Sequence, residues 1–293
     1  MTDSDTPPLP QCAPPHPTPS TPQTLAPLGA WDCHAHIFGP VERYPLHPTR
    51  SYDPAPASLE AYRNMLSTLN IEHAVIVQPS IYGTDNRCTA DALRSSDGAW
   101  RGVAVVDAGI STHELQNLHA LGFRGVRFNL LFMGGTALDQ LETIACKIAP
   151  LGWHVQLLLD GRELPALAPR LARLPTPYVI DHMGHFPTIE GIASAAMKQL
   201  LPLLESGRCW AKLSGPYRLV PGEHPYPGTV DIARALVERA PHRLVWGSDW
   251  PHPSIRQAVP DDGRLFELLD AWVTDRETRQ RILVDNPREL YDA

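Results

Sequence analysis

Cysteine is scarce in this chain and is never arranged as a motif. Its five residues, Cys12, Cys33, Cys88, Cys146 and Cys209, are odd in number and scattered, with no Cys-x-x-Cys pair. That pattern offers neither a zinc ribbon nor a disulfide framework. Positive charge is also in short supply. Lys and Arg total 25 against 32 Asp and Glu, a net charge of −7. A chain with no basic excess has no electrostatic footprint for nucleic acid or an anionic membrane. No uninterrupted apolar run approaches the roughly 20 residues of a bilayer span. The opening Met1-Thr2-Asp3-Ser4-Asp5 lacks the basic start and apolar core of a secretory signal. A cytoplasmic location is the resulting expectation. Absent as well is a glycine-rich phosphate loop after the first candidate strand, which removes the main signature of a nucleotide-binding open sheet.

What is abundant is proline. Residues 1–28 carry Pro7-Pro8, Pro14-Pro15, Pro17, Pro19 and Pro22 with Ser and Thr between them. Each proline removes a backbone donor and fixes φ, so we expect a disordered or loosely draped tail there. From residue 29 to 293 the texture is that of one globular domain, and 43% hydrophobic residues suffice for a sizeable core. Short apolar runs, several continuous as in strands buried on both faces, fall at 30–34, 73–79, 101–107, 123–128, 153–159, 177–182, 208–214 and 243–248. Helix-like segments lie between them near 58–69, 88–97, 111–121, 137–149, 163–173, 190–206 and 229–240, with 263–272 and 274–284 after the last run. Eight strands, each followed by a helix, predict an α/β fold of the (β/α)8 TIM-barrel type.

Chemistry in such a barrel sits at the C-terminal ends of the strands. Those ends read His34 and His36, Gln78 with Ser80, Asp107, Arg127 with Asn129, Asp160, His182, Ser214 and Asp249. Residues i and i+2 of a strand share a face, so His34 and His36 converge and Cys33 is expected on the opposite face as a small core residue. Asp107 and Asp160 read more simply as helix caps or loop residues. The His-x-His pair, a later histidine and a late-strand aspartate make up a hydrolytic set. Asp249 would activate water, and His34, His36 and His182 would polarise a carbonyl.

Asp32-x-His34-x-His36, Asp181-His182-Met183-Gly184 and Trp246-Gly247-Ser248-Asp249-Trp250-Pro251-His252-Pro253 resemble the amidohydrolase-related lactonases, and most closely their pyrone-dicarboxylate subgroup. Gly83-Thr84-Asp85-Asn86, Gly125-Val126-Arg127-Phe128-Asn129, Gly152-Trp153-His154-Val155 and Pro260-Asp261-Asp262-Gly263 extend the likeness from residue 30 to the end. The resemblance implies a distorted barrel and a carboxylic ester hydrolase acting on a small acidic lactone. It places Arg127 and Arg218 as carboxylate clamps, and Tyr52, Ser80 and His252 as further substrate contacts. It also implies that no metal is required. A single zinc, held by His34, His36, His182 and Asp249, is the alternative, although the fifth strand ends Leu158-Leu159-Asp160 with no extra ligand, and His154 lies at its far end.

The pattern departs from the subgroup in three places. Leu130-Leu131-Phe132-Met133-Gly134-Gly135 follows Asn129 where a basic residue is expected, His185 stands where Arg is expected, and Leu158 falls near an expected tyrosine. A lactone with one carboxylate, or a sugar-acid lactone, is therefore also compatible. The same holds for a sugar-acid lactone isomerase (D-galactarolactone isomerase-like) or a zinc-dependent decarboxylase on the same fold, and for a non-catalytic binding barrel. The expected partner is a small-molecule lactone, with no nucleic acid and no membrane, and a homo-oligomer is left open.

Overall fold

The computed structural model describes residues 8–220, 222 and 224–292. Eight strands form one parallel sheet in sequence order: β1 Trp31–Ala35, β2 His73–Val77, β3 Trp100–Ala104, β4 Phe123–Asn129, β5 His154–Leu158, β6 Tyr178–Ile180, β7 Cys209–Leu213 and β8 Leu244–Trp246. The sheet closes just beyond β8, where Asp249 N–H donates to His34 O (2.8 Å) and His36 N–H to Trp250 O (2.8 Å). The seam of the barrel is therefore also where the candidate site lies.

The helices are α1 Leu59–Leu69, α2 Arg87–Arg94, α3 Thr112–Ala120, α4 Leu141–Ile148, α5 Leu164–Leu171, α6 Ala195–Glu205, α7 Pro216–Leu219, α8 Thr229–Arg239, α9 Asp262–Trp272, α10 Arg276–Gln280 and α11 Asn286–Tyr291. Their starts follow local chemistry. Ser58 caps α1, Ser111 and Glu114 form a capping box on α3, and Asp261 caps α9. No helix among the described residues is long and apolar enough to cross a membrane.

Two apolar layers result. The larger lies between strands and helices. A separate cluster of Trp31, Cys33, Val75, Val77, Val103, Val179, Trp210 and Val245, joined by Leu290 and Tyr291 of α11, draws on six strands and fills the barrel's interior. Cys33 is thus not on the face away from the site. On β1 the pairs Asp32↔Ala74 and Ala35↔Ile76 enclose a register slip, and this bulge breaks strict alternation. Cys33 and His34 both turn inward, while Asp32 accepts from Tyr62 OH (2.9 Å) of α1. The thiol is fully buried, and burial pushes its pKa up, so it is an inert core residue.

Of the two readings of the proline-rich start, disordered or loosely draped, residues 8–28 follow the draped one; residues 1–7 lie outside the described residues. This segment lies against the barrel because its non-proline amides donate outward. Cys12 N–H reaches Asp53 O (2.9 Å), Ala13 N–H Ile255 O (2.8 Å) and Ala26 N–H Leu69 O (3.1 Å). Ser20 N–H is held by Asp261 Oδ1 at 2.9 Å. The crossing over α9 is so close that a Cβ on Gly263 would lie 1.9 Å from Ser20 O, which explains a glycine in the first turn of that helix. Proline's missing donors exclude ladders, but a draped strap needs only the residues in between.

Candidate active site

Strand periodicity stacks the interior of the barrel in layers. On β7, Trp210 lies in the apolar layer, Lys212 above it, and Ser214 beyond the strand's end at the rim. On β5, His154 lies low, edge-on to Tyr291 with ring centroids 5.3 Å apart, and Gln156 lies one layer up. His154 is thus far from the rim, as the sequence suggested.

At the rim, His34, His36, His182 and Asp249 come together, all at most 2% exposed. His34 Nε2 is 3.3 Å from His36 Nε2. Asp249 Oδ1 lies 3.7 Å from His34 Nε2 and 3.8 Å from His36 Nε2, and Oδ2 lies 3.8 Å from His182 Nε2. His36 Nδ1 is 2.7 Å from Val77 O. A carbonyl oxygen can only accept, so Nδ1 carries the proton and Nε2 presents a lone pair to the site. His182 Nδ1 is tied to Ser214 Oγ at 2.9 Å. Both His182 (φ 50°) and Asp249 (φ 63°) hold left-handed backbone conformations, strain of the kind that clusters at functional sites.

The two oxygens of Asp249 differ. Oδ2 accepts from Tyr217 OH (2.7 Å) and from Arg218 Nε (2.5 Å), both carried by α7. Oδ1 is buried with no hydrogen-bond partner among the described residues. Burial works against the charge on Asp249, but the Arg218 guanidinium outweighs it and holds its pKa well below the carboxylate range. The histidines move the other way. Burial lowers all three, His36 to about 3, so they are neutral imidazoles.

Beneath them is a buried polar layer that reading the sequence missed. Lys212 Nζ, fully buried, meets Cys33 O (2.8 Å), Gln156 Oε1 (2.8 Å) and His34 Nδ1 (3.2 Å). Asp181 faces this layer from β6's end. Its Oδ2 accepts from Gln156 Nε2 (3.1 Å) and Arg127 Nη2 (3.4 Å), while Oδ1 lies 3.3 Å from His34 Nδ1. Lys212 and Arg127 outweigh burial and lower the pKa of Asp181, so it is ionised. The available signal was a single lysine inside the apolar run Cys209-Trp210-Ala211-Lys212-Leu213. A strand buried on both faces has no place for an unpartnered charge.

Two further expectations change with the structure, those for His252 and Arg218. His252 is fully buried behind Tyr217, with Nδ1 2.9 Å from Tyr217 OH and Nε2 3.3 Å from Asp262 Oδ1. It braces Tyr217 instead of lining the substrate space. Arg218 spends its guanidinium on Asp249 and on Pro253 O, so it is the aspartate's counterion before it is a carboxylate clamp. Asp107 and Asp160 are turn residues, accepting from Gly109 N–H and Arg162 N–H. Gln78 and Asn129 brace their loops through Asp85 O, Leu131 N and Phe132 N.

Arg127, Tyr52 and Ser80 remain as buried polar groups at the rim. Arg127 Nε has no hydrogen-bond partner among the described residues. Burial raises the pKa of the Tyr52 hydroxyl, with Arg127 and Arg218 pulling the other way. The loop after β4 roofs this space. Met133 N–H donates to Ser51 Oγ (2.8 Å), and the Phe132 ring meets Tyr52 edge-on.

His34, His36 and Asp249 lie close enough together to hold a metal ion, as do His34, Asp181 and His182. Lys212, Arg127 and Arg218 are already set against Asp181 and Asp249, and the Lys212 ammonium stands 3.2 Å behind one of these ligands, at His34 Nδ1, where a dication would meet positive charge.

A parallel barrel whose first strand ends in His-x-His, whose sixth is followed by a histidine and whose eighth is followed by an aspartate has the frame of a hydrolase acting through activated water. The chain belongs to the amidohydrolase family, whose model, described as Amidohydrolase, matches residues 31–293. It is 41% identical over 284 residues to a 2-pyrone-4,6-dicarboxylate hydrolase of Comamonas testosteroni, covering 93% of each chain. It is 35% identical to a 4-sulfomuconolactone hydrolase of Hydrogenophaga intermedia, across 91% of this chain and 90% of the relative. Among solved structures, a probable 2-pyrone-4,6-dicarboxylic acid hydrolase from Acinetobacter baumannii with citric acid bound superposes with a TM-score of 0.78 at 30% identity, over 91% of this chain and 100% of the other.

Proposed function

We propose that this protein hydrolyses the ester bond of a small carboxylated lactone, 2-pyrone-4,6-dicarboxylate or a close chemical relative, without a metal. The observation that carries the reading is the asymmetry of Asp249, with Oδ2 held by Tyr217 and Arg218 and Oδ1 left free beside two imidazoles. Water placed against Oδ1 gives up a proton to it as its oxygen attacks the lactone carbonyl. His36 presents its Nε2 lone pair toward the same space. His34 and His182 face the developing oxyanion. When the ring C–O bond breaks, Asp249 returns the proton to the leaving oxygen. A carboxylate held at low pKa is a weak base but gives its proton back readily, which suits that second step. Arg127, with Tyr52 and Ser80 beside it, binds a substrate carboxylate.

The test is loss of lactone absorbance over a panel of pyrone dicarboxylates, monocarboxylate lactones and sugar-acid lactones, with and without a strong chelator. The expected result is turnover of a carboxylated lactone at the same rate in both conditions. Turnover abolished by the chelator and restored by zinc would reject the metal-free reading. No turnover of any lactone by folded protein would reject the reaction class.

A further inference from the structure

We infer that Lys212 is a positioning residue that fixes the tautomer of His34, holding it as an Nε2–H donor at the rim of the site. This rests on the hydrolytic reading of the site for its consequence, though not for its geometry.

An ammonium has three N–H bonds and no lone pair. Lys212 Nζ has three acceptors within reach: Cys33 O (2.8 Å), Gln156 Oε1 (2.8 Å) and His34 Nδ1 (3.2 Å). Its fourth neighbour, Asp181 Oδ1, lies at 3.6 Å and supplies charge rather than a hydrogen bond. The orientation of Gln156 agrees, because its Nε2 donates to Asp181 Oδ2 (3.1 Å) and so turns the amide oxygen toward the lysine. If His34 Nδ1 accepts from the ammonium, the imidazole proton is on Nε2. There it faces the lone pair of His36 Nε2 at 3.3 Å, and His36 in turn donates from Nδ1 to Val77 O. The chain Lys212, His34, His36, Val77 then has one donor and one acceptor at every link.

The other tautomer fails at two links. A proton on Nδ1 would point at a lysine N–H, and a bare Nε2 would face the bare Nε2 of His36. Its only gain is a bond to Asp181 Oδ1 at 3.3 Å. Lys212 therefore decides between two acceptable partners of one ring nitrogen. By keeping the proton on Nε2 it makes His34 the donor and His36 the acceptor, so the adjacent histidines do different work.

The experiment uses the full chain with 15N-labelled histidine. Long-range 1H–15N correlations report which ring nitrogen is protonated, and His34 is assigned from the spectrum of His34→Gln. The wild type is expected to show a bare Nδ1 and a protonated Nε2; a protonated Nδ1 would overturn the proposal. This reading is made without substrate, so it stands or falls separately from the reaction assigned to the site. Lys212→Met keeps the side chain's length and removes its donors. It is expected to move the His34 proton to Nδ1, toward Asp181, and to lower kcat by about 100-fold with KM nearly unchanged. A folded Lys212→Met with the wild-type tautomer would overturn the proposal. Should that variant not fold, Asp181→Asn removes the competing acceptor. It should retain the wild-type tautomer, and a switch to Nδ1–H there would equally overturn the claim.

Discussion

Asp249→Asn is expected to fold as the wild type does and to lose turnover by a factor of about 10³ or more. Asparagine is isosteric, and its amide oxygen still accepts from Tyr217 OH and Arg218 Nε, the two donors now on Oδ2. The amide group then occupies the place of Oδ1, which is buried and unpartnered beside His34 and His36. An amide nitrogen cannot take a proton from water, so the attacking species is never formed and there is no acid for the leaving oxygen. The loss should fall on kcat, because Arg127, Tyr52 and Ser80 are untouched. Circular dichroism and a thermal melt establish the fold, and stopped assays at high enzyme concentration measure the residue of activity. A folded variant retaining a tenth of wild-type turnover would remove Asp249 from the reaction.

Acid is expected to destabilise the protein well before carboxylates in general titrate. Burial lowers the pKa of His36 to about 3, helped by Arg127, and that of His154 to about 3, helped by Lys212. Both groups are neutral in the folded protein at pH 5, whereas the unfolded chain protonates them below about 6.5. The unfolded state then binds more protons, so stability is full above that pH and falls as the pH drops below it. Each such histidine contributes a loss of about 1 kcal/mol per pH unit. His34 and His182 are lowered by burial as well and act in the same direction. Asp32 opposes them. Burial raises it to about 6, so between that pH and its ordinary value of 3.8 the folded state holds the extra proton. One carboxyl does not balance four imidazoles. The urea midpoint should hold level down to about pH 6.5 and then drop steadily to pH 5, and a midpoint that stays level or rises over that lower interval would contradict the assigned neutrality of these histidines.

The barrel was legible because its strands are buried on both faces and so read as plain apolar runs. The segments 73–79 and 123–128 contain or nearly match β2 (His73–Val77) and β4 (Phe123–Asn129). His34, His36, His182 and Asp249 were legible for a related reason, as polar groups placed directly after such runs, and the structure brings all four together. What was not legible depends on partners distant in sequence. The bulge at Asp32 is set by β2 and by Ser248, whose N–H and hydroxyl both bond that carboxylate. Arg218 has a side chain suited to binding a carboxylate, and only the fold shows that the carboxylate is Asp249. Proline content left the start of the chain open between disorder and a draped strap, because it measures lost donors and says nothing of the few amides that remain. Lys212 was hidden in an apolar run, although its charge was itself the sign of a buried partner.

The most direct test of the central claim is to run the reaction with the lactone that turns over, in water enriched in oxygen-18, and to examine the product by mass spectrometry and 13C NMR. Attack of water activated by Asp249 on the carbonyl predicts an open-chain product with one labelled oxygen, placed in the newly formed carboxylate. An unlabelled product of the same mass as the substrate would show rearrangement rather than hydrolysis, and would contradict the account.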